Sequence, residues 1–229
     1  MTARTPDKGE VQELLVTLYL RLNGYFTSGF IVHAPRKGQS RTEIDVLGVR
    51  FPKNAEPERE VAVAGELDPT TWLIDVVIAE VKSEGRDLQF NEALRNSPSS
   101  VASVLRWVGL YEEAEIQTLA QKLGVCLAPE NASRQEPPTI DGPRDTRIRG
   151  LLFSPERPQR QPDDPWFITG EHVFSHIWRC LRPSAPRTAC AASYDFGLWG
   201  PGLEPIVRFF KAQKGPGPGG VKQLVDFLK

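Results

Sequence analysis

Cysteine is scarce: Cys126, Cys180 and Cys190 are the three in 229 residues, an odd number with no CxxC pair among them. That excludes a secreted disulfide framework and a cysteine-rich zinc site, and it predicts a reducing compartment. Long apolar runs are missing too. No stretch approaches the about 18 consecutive apolar residues of a membrane span, and the opening MTARTPDKGE reaches charged residues without the apolar centre of a signal peptide. The expectation is a cytoplasmic protein with no membrane contact. Neither sign of charge dominates, since 28 Lys and Arg against 29 Asp and Glu leave a net charge of −1. A polyanionic partner would therefore have to be met by local basic patches. The chain has no internal repeat, no GxSxG elbow and no GK[ST] phosphate loop, which removes the usual serine hydrolase and NTPase readings.

With 40% hydrophobic and 25% charged residues, the chain has the composition of an ordinary globular protein. A compact chain of this size hides roughly 70% of the surface its unfolded form exposes and needs no staples. Val11, Leu14, Leu15, Leu18 and Leu22 recur at helical spacing until Asn23-Gly24, which predicts a helix over 10–23. Strands are predicted over 26–34 and 43–51, the second ended by Pro52. The apolar patch 61–64 reads as an extra edge strand within a charged excursion, and 72–81 (WLIDVVIAEV) as a strand covered on both faces. Helical segments are expected over 91–111, interrupted near Pro98, and over 112–123, ended by Gly124. A loop over 129–145, strands over 147–153 and 167–169, and helical pieces over 172–181, 206–211 and 221–228 complete an α/β order with its strands bunched early.

The chemistry sits at Glu80-Val81-Lys82. Side chains two apart on a strand share a face, so Glu80 and Lys82 leave the end of an apolar strand together. E-x-K alone arises by chance about once in a chain of this composition. Context adds weight: Asp45 stands between Ile44 and Val46 on the preceding strand, where strict alternation places it on a face with Glu43, Leu47 and Val49. A carboxylate among apolar residues costs free energy unless it is paired or holds a metal, and a salt bridge to Arg41 or Arg50 would serve as well as an ion. If the strands are neighbours, Asp45 and Glu80 form a hard, oxygen-only site suited to Mg2+ or Mn2+. Lys82 beside it could orient a water or stabilise charge on a phosphate.

These residues resemble the PD-(D/E)XK nucleases of the restriction-endonuclease-like fold, with an Mrr-like or archaeal junction-resolvase flavour. The match is the ordered set Glu13, Asp45 and Glu80-x-Lys82, with Gly24-Tyr25 following Glu13 at 11 positions, about three helical turns. It covers residues 9 to 95. The resemblance implies a restriction-endonuclease-like α/β core over 1–155, with a mixed central sheet of about four or five strands flanked by helices. An irregular C-terminal extension with helices over 156–229 would pack on the same domain. Asp45, Glu80 and the backbone carbonyl of Val81 would hold the metal, Lys82 would serve the water, and Glu13 would serve a second metal or its water shell. Glu10, one turn from Glu13, competes for the helix-acid role. Arg36, Lys37, Arg41 and Gln89 are candidate nucleic-acid contacts.

The implied activity is metal-dependent hydrolysis of phosphodiester bonds, chiefly in DNA, in a restriction, repair or phage-defence setting. Implied partners are DNA, a protein that supplies specificity and a second copy of the chain. The alternatives are a non-catalytic nuclease-like binding or scaffold module, and an RNA-directed nuclease. His172 and His176 stand i, i+4 without an HExxH order or a third ligand, so they read as an ordinary helix face. The 215–220 glycines match GxGxxG literally, but prolines fill the gaps, and the segment reads as a hinge.

Overall fold

The structure, a computed structural model, describes residues 6–33, 40–55, 61–67, 73–181, 196–213 and 217–229. Asp7 opens α1 (Lys8–Leu22) with a capping box: its carboxylate accepts the Gly9 and Glu10 amides, and the Glu10 carboxylate accepts the Asp7 amide at 2.8 Å. Gly24, at φ +86°, makes the turn into β1 (Phe26–His33), a conformation open to glycine. The buried Asn23 side chain bonds back to the Tyr19 carbonyl and accepts the Ala64 amide, which ties the 61–67 excursion to the helix end.

The sheet runs β1, β2 (Ser40–Arg50), β3 (Ile74–Val81), β5 (Thr146–Ser154), β4 (Thr139–Gly142), and β6 (Ile168–Thr169) pairs with β5. β1/β2, β2/β3 and β4/β5 are antiparallel, whereas β3/β5 and β5/β6 are parallel. The fold is therefore α/β with a mixed sheet flanked by helices. On β3, Val77 and Ala79 join one core and Val76 and Ile78 the other, the two-sided burial expected from its continuous apolar run.

One face carries α1, α5 (Gly170–Leu181), α6 (Gly200–Ala212) and α7 (Val221–Leu228); the other carries α2 (Glu92–Asn96), α3 (Pro98–Val108) and α4 (Glu113–Leu127). Residues of the 156–229 stretch, including Ile177, Phe209 and Leu224, belong to the same core as α1 and Phe153. Because α1 lies between the sheet and these helices, Val16, Tyr19 and Leu20 are buried along with the predicted stripe residues Val11, Leu15 and Leu18.

Some expectations are corrected. Residues 61–64 form no strand; Ala64 leads into a 3-10 turn at Gly65–Leu67 instead. Helix α4 runs through Gly124, which is buried where the helix packs against α2, near the Arg95 carbonyl. The 129–145 loop contains β4, a short strand that the surrounding prolines conceal. Counted with β4 and the expected short strand β6, the sheet has six strands, in keeping with the expected mixed sheet of about four or five.

Candidate metal and phosphodiester site

A bulge places Asp45. Ser28 pairs with Leu47 and Phe30 with Ile44, so Gly29 alone faces both Asp45 and Val46. The extra residue shifts the side-chain alternation: Ile44 lies in the same core as Leu47, while Val46 lies in the opposite one. Strict alternation, with Asp45 on the face of Leu47 and Val49, is thereby overturned. Beyond Val46↔Ala79 the β2/β3 ladder stops, and the Asp45 carboxylate takes over by accepting the Val81 amide at 2.7 Å. Asp45 forms no pair with Arg41 or Arg50, because Arg50 donates to the Asn23 and Asn54 carbonyls and Arg41 to the Ser97 and Ser99 hydroxyls.

Glu80 is fully buried and meets Lys82, whose ammonium donates to Glu80 Oε2 at 2.7 Å and to Asn91 Oδ1 at 3.0 Å. Those two bonds leave the third N–H of the ammonium for a ligand. The Lys82 backbone is pinned on both sides, its amide donating to the Phe153 carbonyl and its carbonyl accepting from Ser154 Oγ, each at 2.8 Å. Glu80 Oε1 is buried without a hydrogen-bond partner. Burial pushes the Glu80 carboxyl up to about 7, with Lys82 opposing and the Asp45 charge adding to the shift. Burial likewise raises Asp45, partly offset by the Val81 amide and Lys82.

Glu13, half-buried on α1, is also raised to about 7, first by burial and then by the charge of Asp45. Glu10, in contrast, spends its carboxylate on the capping box. Glu13, Val81, Lys82 and Gln89 line one open cleft of about 500 Å³, together with Arg86 and Arg95. Of the sequence candidates the cleft is lined by Glu13, Val81, Lys82 and Gln89; Asp45 and the fully buried Glu80 do not line it, the Arg41 side chain reaches Ser97 and Ser99 at the start of α3, and Arg36 and Lys37 lie outside the described residues.

The donor set fits a small oxygen-preferring cation. A buried carboxylate oxygen lacking a donor, beside a second carboxylate, gains from a cation what it lacks in hydrogen bonds. Among the described residues no three Asp, Glu, His or Cys side chains gather as a metal-holding group. An ion here would accordingly rest on Asp45, Glu80 and a main-chain oxygen and keep several waters, as magnesium does.

Sequence reasoning missed the supports. Asn91 begins α2 without capping it and turns its amide to Lys82. Gln12, fully buried, donates to Ser83 Oγ at 2.9 Å, and Glu156 accepts the Glu84 amide and pairs with Lys8, so the loop after Lys82 is strapped to the helix that carries Glu13. A buried ionic hub was missed as well: Asp75 accepts from Tyr25 Oη at 2.5 Å and pairs with Arg147 and Arg149. Burial alone would raise Asp75, but Arg149, Tyr25 and Arg147 hold its carboxyl below the ordinary value. His172 pairs with Glu66 and His176 contacts Cys180, an ordinary helix face.

Among the described residues no helix is long and apolar enough to cross a membrane. Comparisons with protein-family models, curated proteins and solved structures find no match for this chain.

Proposed function

We propose that the protein is a divalent-metal-dependent nuclease of PD-(D/E)XK type that hydrolyses phosphodiester bonds in DNA in a reducing, cytoplasmic setting. The observation that carries the reading is the junction where β2 and β3 part: Asp45 bound to the Val81 amide, buried Glu80 with an orphan oxygen, and Lys82 between them and the cleft. Asp45 and Glu80, with the Val81 carbonyl, would hold Mg2+ or Mn2+, which supplies Lewis-acid polarisation of the phosphoryl oxygen and a bound water of lowered pKa. Lys82 keeps one N–H for a phosphate oxygen or the attacking water. Glu13, poised near neutrality by burial, can accept or share a proton at the cleft wall. Arg86 and Arg95 on the rim add positive charge for the DNA backbone. Glu13, Asp87 and Glu92 offset Lys82, Arg86 and Arg95 along the cleft, and so limited a positive surface suits a partner protein that supplies specificity.

A second reading rests on the closed Lys82–Glu80 ion pair: a nuclease-like binding module in which that pair is structural. The deciding experiment incubates the protein with supercoiled, linear and single-stranded DNA and with RNA, in Mg2+, Mn2+ or chelator, alongside calorimetric titration with Mn2+. Cleavage of DNA that depends on the ion supports the nuclease. An inert protein without Mn2+ binding supports the module, and cleavage confined to RNA changes the substrate.

A further inference from the structure

A second pocket adjoins the cleft. Its volume is about 340 Å³, and Asp87, Gln89 and Phe90 line both cavities, so the 87–90 loop is a partition between them. The far side of the partition differs chemically from the cleft. Leu88, Leu127, Leu152, Pro129, Pro165 and Trp166 provide apolar walls, while Ser133 and the Gln89 amide stand among them as polar groups. Its one cation, Arg134, pairs with Asp163 at 3.2 Å, and Asp87 also lines the wall, so the pocket offers no net attraction to a phosphate. The walls are fixed to each other, since the Trp166 amide donates to the Ser133 carbonyl at 2.8 Å.

An uncharged, flat, heteroaromatic group with hydrogen-bonding edges satisfies such walls, and the neighbouring cleft is where the sugar-phosphate chain would lie. Resting on the nuclease reading above, we infer that this pocket receives one unpaired nucleobase next to the scissile phosphodiester. The substrate class is therefore DNA with a single-stranded, flapped or mismatched nucleotide. A base held in a duplex cannot enter without being unstacked and unpaired, which costs a few kcal/mol and is least for a base already unpaired. Gln89 is the specificity-determining side chain of the partition: it donates to Asp87 at 3.2 Å, borders both cavities, and unlike Asp87, which borders them too, offers both a donor and an acceptor to a base edge.

The test uses the full chain and a DNA oligonucleotide carrying 2-aminopurine, either paired in a duplex or unpaired at a single-nucleotide bulge. Binding is followed by fluorescence in chelator, where no cleavage occurs. The expected result is at least tenfold tighter binding of the unpaired probe, with a change in its emission. Ala132→Trp and, separately, Ala128→Trp, at two positions that line the pocket, fill it and should each abolish that preference. Each variant is checked for a wild-type melting curve, and either one that folds suffices. Equal binding of paired and unpaired probes, or a preference that survives in the folded Trp variants, overturns the pocket. Cleavage of the same DNAs in Mn2+ separates the two claims. Base-selective binding without any cleavage sinks the nuclease and leaves the pocket standing; cleavage indifferent to pairing does the opposite.

Discussion

Replacing Glu80 by Gln should change how stability depends on pH. The Glu80 carboxyl sits at about 7 in the folded protein against an ordinary 4.5, because burial disfavours its charged form. A carboxyl raised in this way contributes stability that is complete below its unfolded value and is lost as pH rises through the folded one. The difference of about 2.5 units corresponds to roughly 3 kcal/mol between pH 4.5 and pH 7, at about 1.4 kcal/mol per unit. Glutamine keeps an acceptor for the Lys82 ammonium and has no charge to bury, so it should be spared this loss. The assay is urea unfolding at a series of pH values from 5 to 8.5, a window that avoids the titration of Asp75, whose carboxyl lies below its ordinary range. The wild type should lose stability across the window, and Glu80→Gln should lose distinctly less, the remainder belonging to Glu13 and Asp45. Mn2+ at a hundredfold excess over its Kd should return about 2.7 kcal/mol to the wild type at pH 8 and nothing to the variant. Identical pH slopes for the two proteins would refute the burial of a carboxyl at this position.

Three other outcomes follow from the same geometry. Asp45→Asn keeps an oxygen for the Val81 amide and should fold with a near-wild-type melting curve while cleaving at least a hundredfold more slowly. Glu10→Ala should cost about 1 kcal/mol in thermal unfolding through the lost capping box with little effect on cleavage, whereas Glu13→Gln should slow cleavage at least tenfold without loss of stability. Asp75→Asn leaves Arg149 buried without its carboxylate and should destabilise by about 3–5 kcal/mol in urea unfolding, against about 1 kcal/mol for Tyr25→Phe.

Elements whose residues repeat a single period were legible. The strand over 74–81 follows from a continuous apolar run, and the helix over 8–22 from its spacing and the Asn23-Gly24 stop. What was hidden arises where a tertiary contact overrides the local pattern. Gly124 looks like a helix end, but it is buried facing α2 and the helix runs on to Leu127. A bulge opposite Gly29 changes which face Ile44 takes, and nothing local in TEIDV announces it. At the site, the order Asp45, Glu80, Lys82 marked the junction of β2 and β3, yet the residues that brace it, Gln12, Asn91 and Glu156, come from distant segments with ordinary composition. The Asp75 hub did leave a signal: one acid in an apolar strand and two arginines at alternate positions of another, Arg147 and Arg149, demand one another once β3 and β5 are neighbours.

Single-turnover cleavage of supercoiled DNA, run in parallel for the wild type, Lys82→Ala and the Asp45→Asn/Glu80→Gln double variant, tests the metal-dependent nuclease most directly. Each protein is assayed in Mg2+, in Mn2+ and in chelator, after melting curves show that it is folded. The wild type should nick DNA in either metal and not in chelator, with both variants slower by at least a hundredfold. Equal cleavage by wild type and double variant, or a wild type inert in both metals, would contradict the account.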